Sequence, residues 1–282
     1  MVQTAKRLRR WQLAAAGGIC VPAVVYAAVM GGQGEHMLLP LAVGLGTIST
    51  SAQAASVRQA SFLSVAWPAL WWPLLYSASV DAAEVAPDRF VDPYLARLDA
   101  RFLRLGPDRM PAWALGGAWE EVANVFYISF YAVIPLALAW AWLRRGEVAA
   151  LRFGLGLLAT LAACSTLWLA FPAGGYHSTG SPTSAAWGPA TAIARAVYAT
   201  HPHYAAAFPS SHVALSVSTA ALLGLHGAGW GWLAWALGVS FATVYGQYHY
   251  LVDVPPGWAV GLAVAAAVWW VSPVSGDHAP PG

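Results

Sequence analysis

Residues 119–171 read WEEVANVFYISFYAVIPLALAWAWLRRGEVAALRFGLGLLATLAACSTLWLAF, two long apolar runs joined by Arg144-Arg145-Gly146-Glu147. A hydrocarbon layer demands about 20 predominantly apolar residues per spanning helix, and each run meets that length. The stretch therefore reads as a helical hairpin that crosses a membrane twice. The whole chain extends the same pattern, with 59% hydrophobic and 9% charged residues and a mean hydropathy of +0.55. Soluble domains carry about 25% charged residues, so a water-soluble fold is excluded. A net charge of +2, from 14 Lys+Arg against 12 Asp+Glu, leaves no basic surface able to follow a phosphate backbone, and nucleic acid is excluded as a partner. Cys20 and Cys164 both lie in apolar stretches and read as packing residues.

Working outward, further apolar runs at 11–30, 37–55, 61–80, 210–226, 229–248 and 255–272 bring the expected spans, with 119–143 and 148–171, to eight. The fold class is all-α, a polytopic transmembrane bundle. Lys6, Arg7, Arg9 and Arg10 precede the first run, as before a cytoplasm-anchored helix or a signal peptide. The run is long for a signal's apolar core and has no small-residue cleavage site, so it reads as a retained helix. Threading from an inside N-terminus places Arg58, Arg144, Arg145 and Arg152 inside and Arg89, Arg97, Arg101, Arg104, Arg109 and Arg195 outside, the first five of these among acids. Both termini are then cytoplasmic. Trp11, Trp140, Trp142, Trp230, Trp232, Trp269 and Trp270 gather near the inner interface, where an indole ring is favoured.

Two outer connections exceed ordinary turns. Within 81–118, Val91, Leu95, Leu98, Phe102 and Leu105 recur at helical spacing opposite Asp92, Arg97, Asp99, Arg101 and Arg104. That pattern predicts an interfacial helix with its apolar face buried and its charged face hydrated. The connection 173–208 is rich in Gly, Ser, Thr and Pro, carries His177, Arg195, His201 and His203, and reads as a functional loop. His201-Pro202-His203 has no Asp, Glu or Cys near it at ligand spacing, so no metal is expected.

Ionisable side chains at the mouth of a membrane span are costly and mark function. Phe208-Pro209-Ser210-Ser211-His212 opens the sixth run directly after the outer loop. Ser at a helix start is an ordinary cap. A helix N-terminus with hydroxyls is also an anion site, and a histidine one step in can exchange a proton. Tyr245-Gly246-Gln247-Tyr248-His249-Tyr250-Leu251-Val252-Asp253 closes the seventh run. If helical, its four-residue spacing sets Asp253 beside His249, where a carboxylate can fix the imidazole tautomer and leave the other nitrogen as nucleophile or base. A pair that only satisfies its own members is the plainer reading. Alternating spans bring both segments to the outer face.

Together, Pro-Ser-x-His and His-x-x-x-Asp resemble the second and third motifs of the type 2 phosphatidic acid phosphatase superfamily, and the resemblance extends over residues 61–272. Asp92-Pro-Tyr-Leu-Ala-Arg-Leu-Asp99 looks like a stretch of its inositol phosphorylceramide synthase and inositolphosphotransferase-like branch. The resemblance implies a six-helix catalytic domain at 61–272, preceded by two accessory helices in 1–60 and followed by a tail at 273–282. It implies His249 as phosphoryl acceptor, Asp253 as its orienting partner, His212 as general acid, and Ser210 with the Ser211 backbone around the phosphoryl oxygens. The substrate would be a membrane lipid phosphate, hydrolysed or transferred through a phosphohistidine with no metal or organic cofactor. The superfamily's basic residues are replaced: the first-motif region reads Phe171-Pro-Ala-Gly-Gly-Tyr-His177, and Thr243 and Gln247 stand where the third motif carries an arginine. His177, Arg195, His201 and His203 are the candidate substitutes. The non-enzyme alternative is a lipid-phosphate binding or transport protein that keeps the pocket.

Overall fold

The computed structural model describes residues 2–29, 62, 65–66, 72–103, 117–176, 188–200, 205–224 and 229–272. Among these the regular structure is helical, with no strand. In chain order the helices are α1 (Val2–Val29), α2 (Trp72–Ala83), α3 (Asp92–Leu103), α4 (Gly117–Ala170), α5 (Pro189–Thr200), α6 (Ser211–Gly224), α7 (Gly231–Tyr245) and α8 (Val254–Val271), with 3-10 turns at Pro87–Arg89 and Leu251–Asp253. The expected span at 37–55, residues 61, 63–64 and 67–71 of the run at 61–80, and the tail from 273 lie outside the described residues.

The quoted hairpin is α4. Its helical course breaks at Gly146, whose φ of 81° and ψ of −174° fall where a Cβ is penalised and glycine is not. The arms run antiparallel, because Tyr131 on the first reaches His212 while Trp168 on the second donates to the Pro209 carbonyl. The runs Gly117–Ala170 and Leu251–Val271 are long and apolar enough to cross a membrane, and α6 and α7 are shorter apolar helices.

α6 is buried along almost its whole length and packs against α4, α7 and α8. Contact with α8 is unusually close. A Cβ on Gly257 would stand 2.9 Å from the Ser210 carbonyl oxygen, and one on Gly261 would stand 2.5 Å from that of Ala214. Small residues one turn apart let two backbones approach in this way.

The bundle has two chemically distinct ends. At one, Arg9 pairs with Glu147 at 3.0 Å, Arg7 bonds the Val271 carbonyl, and Arg152 bonds the Ser272 carbonyl at 2.6 Å and its hydroxyl at 3.1 Å. Arg152, expected among the hydrated inner charges, is buried as a clamp on the end of α8, its guanidinium 5.2 Å from the Trp269 ring centre. At the other end lie α3, residues 172–176 and 205–210, and the 3-10 turn before α8.

Two expectations are corrected here. The outer connection 173–208 contains a helix, α5, rather than loop alone. On α3 Leu95 is buried and Arg97 and Arg101 are exposed as expected, but Asp92 and Asp99, expected on the hydrated face, are buried, and Phe102, expected on the buried face, is 71% exposed. The carboxylates turn inward because backbone N–H groups of neighbouring segments require acceptors, and unpaired buried donors cost more than a solvated ring.

Gly261→Ala forces a side chain against a backbone oxygen that cannot yield. Overpacking of this kind costs about 1–3 kcal/mol, so the variant is expected to lower the thermal midpoint of the purified protein in detergent; an unchanged midpoint would mean the helices are free to separate there.

Candidate active site

Three neighbouring segments at this end bring four side chains close together. The turn after α7 carries His249, the 3-10 turn carries Asp253, and the first turn of α6 carries Ser211 and His212. All four are buried, Asp253 completely. The imidazole rings of His212 and His249 lie 6.0 Å apart between centroids, crossed at 63°.

The expected helix through 245–253 is not formed. Residues 246–250 turn instead, around a Gln247 φ of 63°, and the His249 N–H bonds the Thr243 carbonyl at 3.0 Å. His249 Nδ1 nevertheless lies 3.4 Å from Asp253 Oδ2. Its shorter contact, at 2.9 Å, is to the Ala207 carbonyl oxygen. A carbonyl only accepts, so Nδ1 carries the proton and donates, and Nε2 keeps its lone pair. The tautomer is thus set by a backbone group as well as by the carboxylate. Asp253 Oδ2 is also occupied by the Tyr250 N–H at 2.8 Å, while Oδ1 has no partner among the described residues.

His212 is set in an aromatic stack. Tyr127 lies against it with centroids 4.8 Å apart, Tyr248 against Tyr127 at 3.9 Å, and Phe130 stands 4.6 Å from the imidazole. Its Nε2 is 3.4 Å from the Tyr131 hydroxyl, and its Nδ1 is buried with no partner among the described residues. An apolar cavity of about 430 Å³ opens beside it, walled by Trp72, Tyr76, Tyr131, Ile193 and Val197 and ending on Ser211 and His212. Ser210 is fully buried and its hydroxyl accepts the Val213 N–H at 3.4 Å, the ordinary cap of α6.

The other candidates are placed differently. Arg195, on α5, pairs with Glu120 at 3.0 Å. Gln247 is half-buried in the turn, and its backbone N–H bonds the Val244 carbonyl. His177, His201 and His203 lie outside the described residues. Among the described residues no Lys or Arg is bonded to His212, His249 or Asp253. No cluster able to hold a metal ion occurs among them either.

Glu121 and Asn124, which help build this end, were not singled out by sequence, and Asp92 and Asp99 were noted there only as hydrated charges and within a resemblance. Glu121 accepts the Ala190 N–H at 2.6 Å, the Thr191 N–H at 3.0 Å and the Thr191 hydroxyl at 2.8 Å, and so pins the start of α5 to α4. Asn124 donates to Thr191 Oγ1 and accepts from the Tyr248 hydroxyl, tying α5 to the turn that carries His249. Asp92 accepts the N–H groups of Gly174 and Gly175 and the Tyr250 hydroxyl; Asp99 accepts those of Leu251 and Val252 and the Tyr176 hydroxyl. Burial raises the phenol pKa of both tyrosines, helped by Asp99 beside Tyr176 and Asp92 beside Tyr250, so each remains a donor. Only the acidic pair one heptad apart on α3 was available as a signal.

Residues 176–277 match the family model of the PAP2 superfamily. The matched segment includes Ser210, Ser211, His212, His249 and Asp253 and excludes α3 and α4. No curated protein and no solved structure matches the chain.

Because the Ala207 carbonyl holds Nδ1–H independently, Asp253→Asn is expected to leave His249 in the same tautomer. The nitrogen chemical shifts of a 15N-histidine-labelled sample report this directly, and a switch to Nε2–H would assign the tautomer to the carboxylate alone.

Proposed function

We propose that the protein is an integral membrane enzyme that moves the phosphoryl group of a lipid phosphate through a phosphohistidine at His249. The observation that carries this reading is the pairing of two buried imidazoles 6.0 Å apart at one end of the bundle, one of them with Nδ1 committed to Ala207 and Asp253. The family match over 176–277 supports it, since phosphatase and phosphotransferase activity is what that superfamily implies.

In this reading His249 Nε2 attacks phosphorus, the N–P bond forms, and the P–O bond to the leaving alcohol breaks as that oxygen takes a proton from His212. Water or a lipid alcohol then attacks the phosphohistidine, gives its proton to His212 and restores Nε2. Asp253 stabilises the positive charge that develops on His249. Ser210 and the backbone of Ser211, at the N-terminus of α6, receive phosphoryl oxygens, with the positive end of the helix dipole behind them. Hydrocarbon of the substrate occupies the cavity beside His212.

The charge balance sets the kind of phosphate. Asp253 is buried beside the two histidines, and no described cation is bonded to any of the three. A phosphate monoester carries nearly two negative charges at neutral pH and a diester one. A phosphodiester or a protonated monoester suits the site, with His177, Gln247 and Arg195 the remaining groups for its oxygens. The Asp92–Asp99 stretch, with its resemblance to the inositolphosphotransferase-like branch, supports an alcohol as acceptor. Residues 61–272 form the catalytic unit and 1–60 the accessory helices, with the site extracytoplasmic and the termini inside.

Incubation with a 32P-labelled lipid phosphate followed by an alkaline quench is expected to leave label on His249 and to release free phosphate or a new phospholipid. His249→Ala should abolish both label and turnover. Near wild-type turnover in that variant would refute the mechanism, and retained binding without turnover in the wild type would mark a binding or transport protein.

Sidedness has its own test. Cysteine at Arg97, exposed on α3, should react with an impermeant maleimide on intact cells, whereas cysteine at the exposed Arg145 should not. The reverse pattern would put the site on the cytoplasmic face.

A further inference from the structure

Asp92 and Asp99 take no part in the steps above, yet they are buried and between them accept from the N–H groups of Gly174, Gly175, Leu251 and Val252 and the hydroxyls of Tyr176 and Tyr250. Seven residues apart, they stand on one face of α3 about 10 Å along its axis. The bonds are crossed. Segment 174–176 gives its backbone N–H groups to Asp92 and its Tyr176 hydroxyl to Asp99. Segment 250–252 gives the backbone N–H groups of Leu251 and Val252 to Asp99 and its Tyr250 hydroxyl to Asp92. The two tyrosine rings pack 4.5 Å apart between the carboxylates.

Each braced segment leads to His249. Residues 250–252 follow it directly in the chain. Residue 173 accepts the Ala207 N–H at 2.8 Å, and the Ala207 carbonyl in turn accepts from His249 Nδ1. Val91, just before α3, donates to the Pro172 carbonyl at 2.9 Å and completes the frame. We propose that Asp92 and Asp99 are positioning residues, a crossed pair of buried carboxylates that holds the Ala207 carbonyl and the 250–252 backbone so that His249 stays in its Nδ1–H form. The catalytic importance of that form rests on the phosphohistidine reading; the bracing itself does not.

A carboxylate is required because both oxygens accept and neither donates. The amide of asparagine keeps the shape but turns an NH2 toward an N–H.

The test uses the full-length protein and four variants, Asp92→Asn, Asp99→Asn, Tyr176→Phe and Tyr250→Phe, the last two removing one crossed bond each while keeping both carboxylates. Three quantities are read: the His249 tautomer from 15N-histidine shifts, assigned with His249→Gln; the thermal midpoint; and kcat and KM on a lipid phosphate. Both Asn variants are expected to mix Nε2–H into the His249 population and to lose about 10²-fold in kcat, the cost of misplacing a reacting group by about 1 Å, with KM little changed. The Phe variants should shift the tautomer in the same direction with a smaller loss in kcat. A His249 that stays wholly Nδ1–H in all folded variants, or a kcat that falls only as the folded fraction falls, would overturn the proposal. Should the Asn variants fail to fold, the Phe pair decides by the same criteria. Absence of turnover in the wild type would remove the phosphoryl-transfer reading, and the tautomer would still decide the bracing.

Discussion

Gly257 and Gly261 let α8 lie against the backbone of α6, and the candidate site depends on that approach. The 3-10 turn bearing Asp253 leads straight into α8, and His212 sits on the first turn of α6. The Ser210 N–H reaches the Asp253 carbonyl at 3.4 Å across the same seam. With ordinary side chains at the two glycines the helices would part by the width of a Cβ contact. Asp253 and His249 would move away from His212 with them, so a packing requirement deep in the bundle fixes a distance at its end.

The electrostatics of that end follow from a different need. Irregular backbone that is buried is tolerated only where its N–H groups find partners. Segments 172–176 and 246–253 are irregular, and their donors are met by Asp92, Asp99, Asp253 and nearby carbonyls. Three carboxylates therefore gather around a site read as binding phosphate. Their oxygens accept N–H and O–H bonds from these segments. The same bonds leave the loops little freedom.

α5 shows how the cavity wall is assembled. Ile193 and Val197 on α5 close the cavity beside His212. The helix is held in place by Glu120, Glu121 and Asn124 at the start of α4, residues that sequence reading passes over as the hydrated rim of a span. Twelve residues inside a Gly- and Pro-rich connection give too short a periodic signal to separate a helix from its surroundings.

Apolar run length determined the helical class and the two arms of α4, because it acts on residue type and spacing alone; the positive φ of Gly146 that marks the break between them is a structural finding. Pro209-Ser210-Ser211-His212 and His249 with Asp253 stood out because buried histidine and carboxylate are unusual in apolar sequence, and the structure brings Ser211, His212, His249 and Asp253 to one end of the bundle. Only the tertiary structure decided which acceptor holds His249 Nδ1. Every residue carries a carbonyl, so nothing in the identity of Ala207 marks the one that faces the imidazole. The burial of Asp92 and Asp99 ran against the sequence expectation, since helical periodicity ranks faces by hydropathy. Which face turns inward was settled by the N–H groups of segments far away in the chain that needed an acceptor.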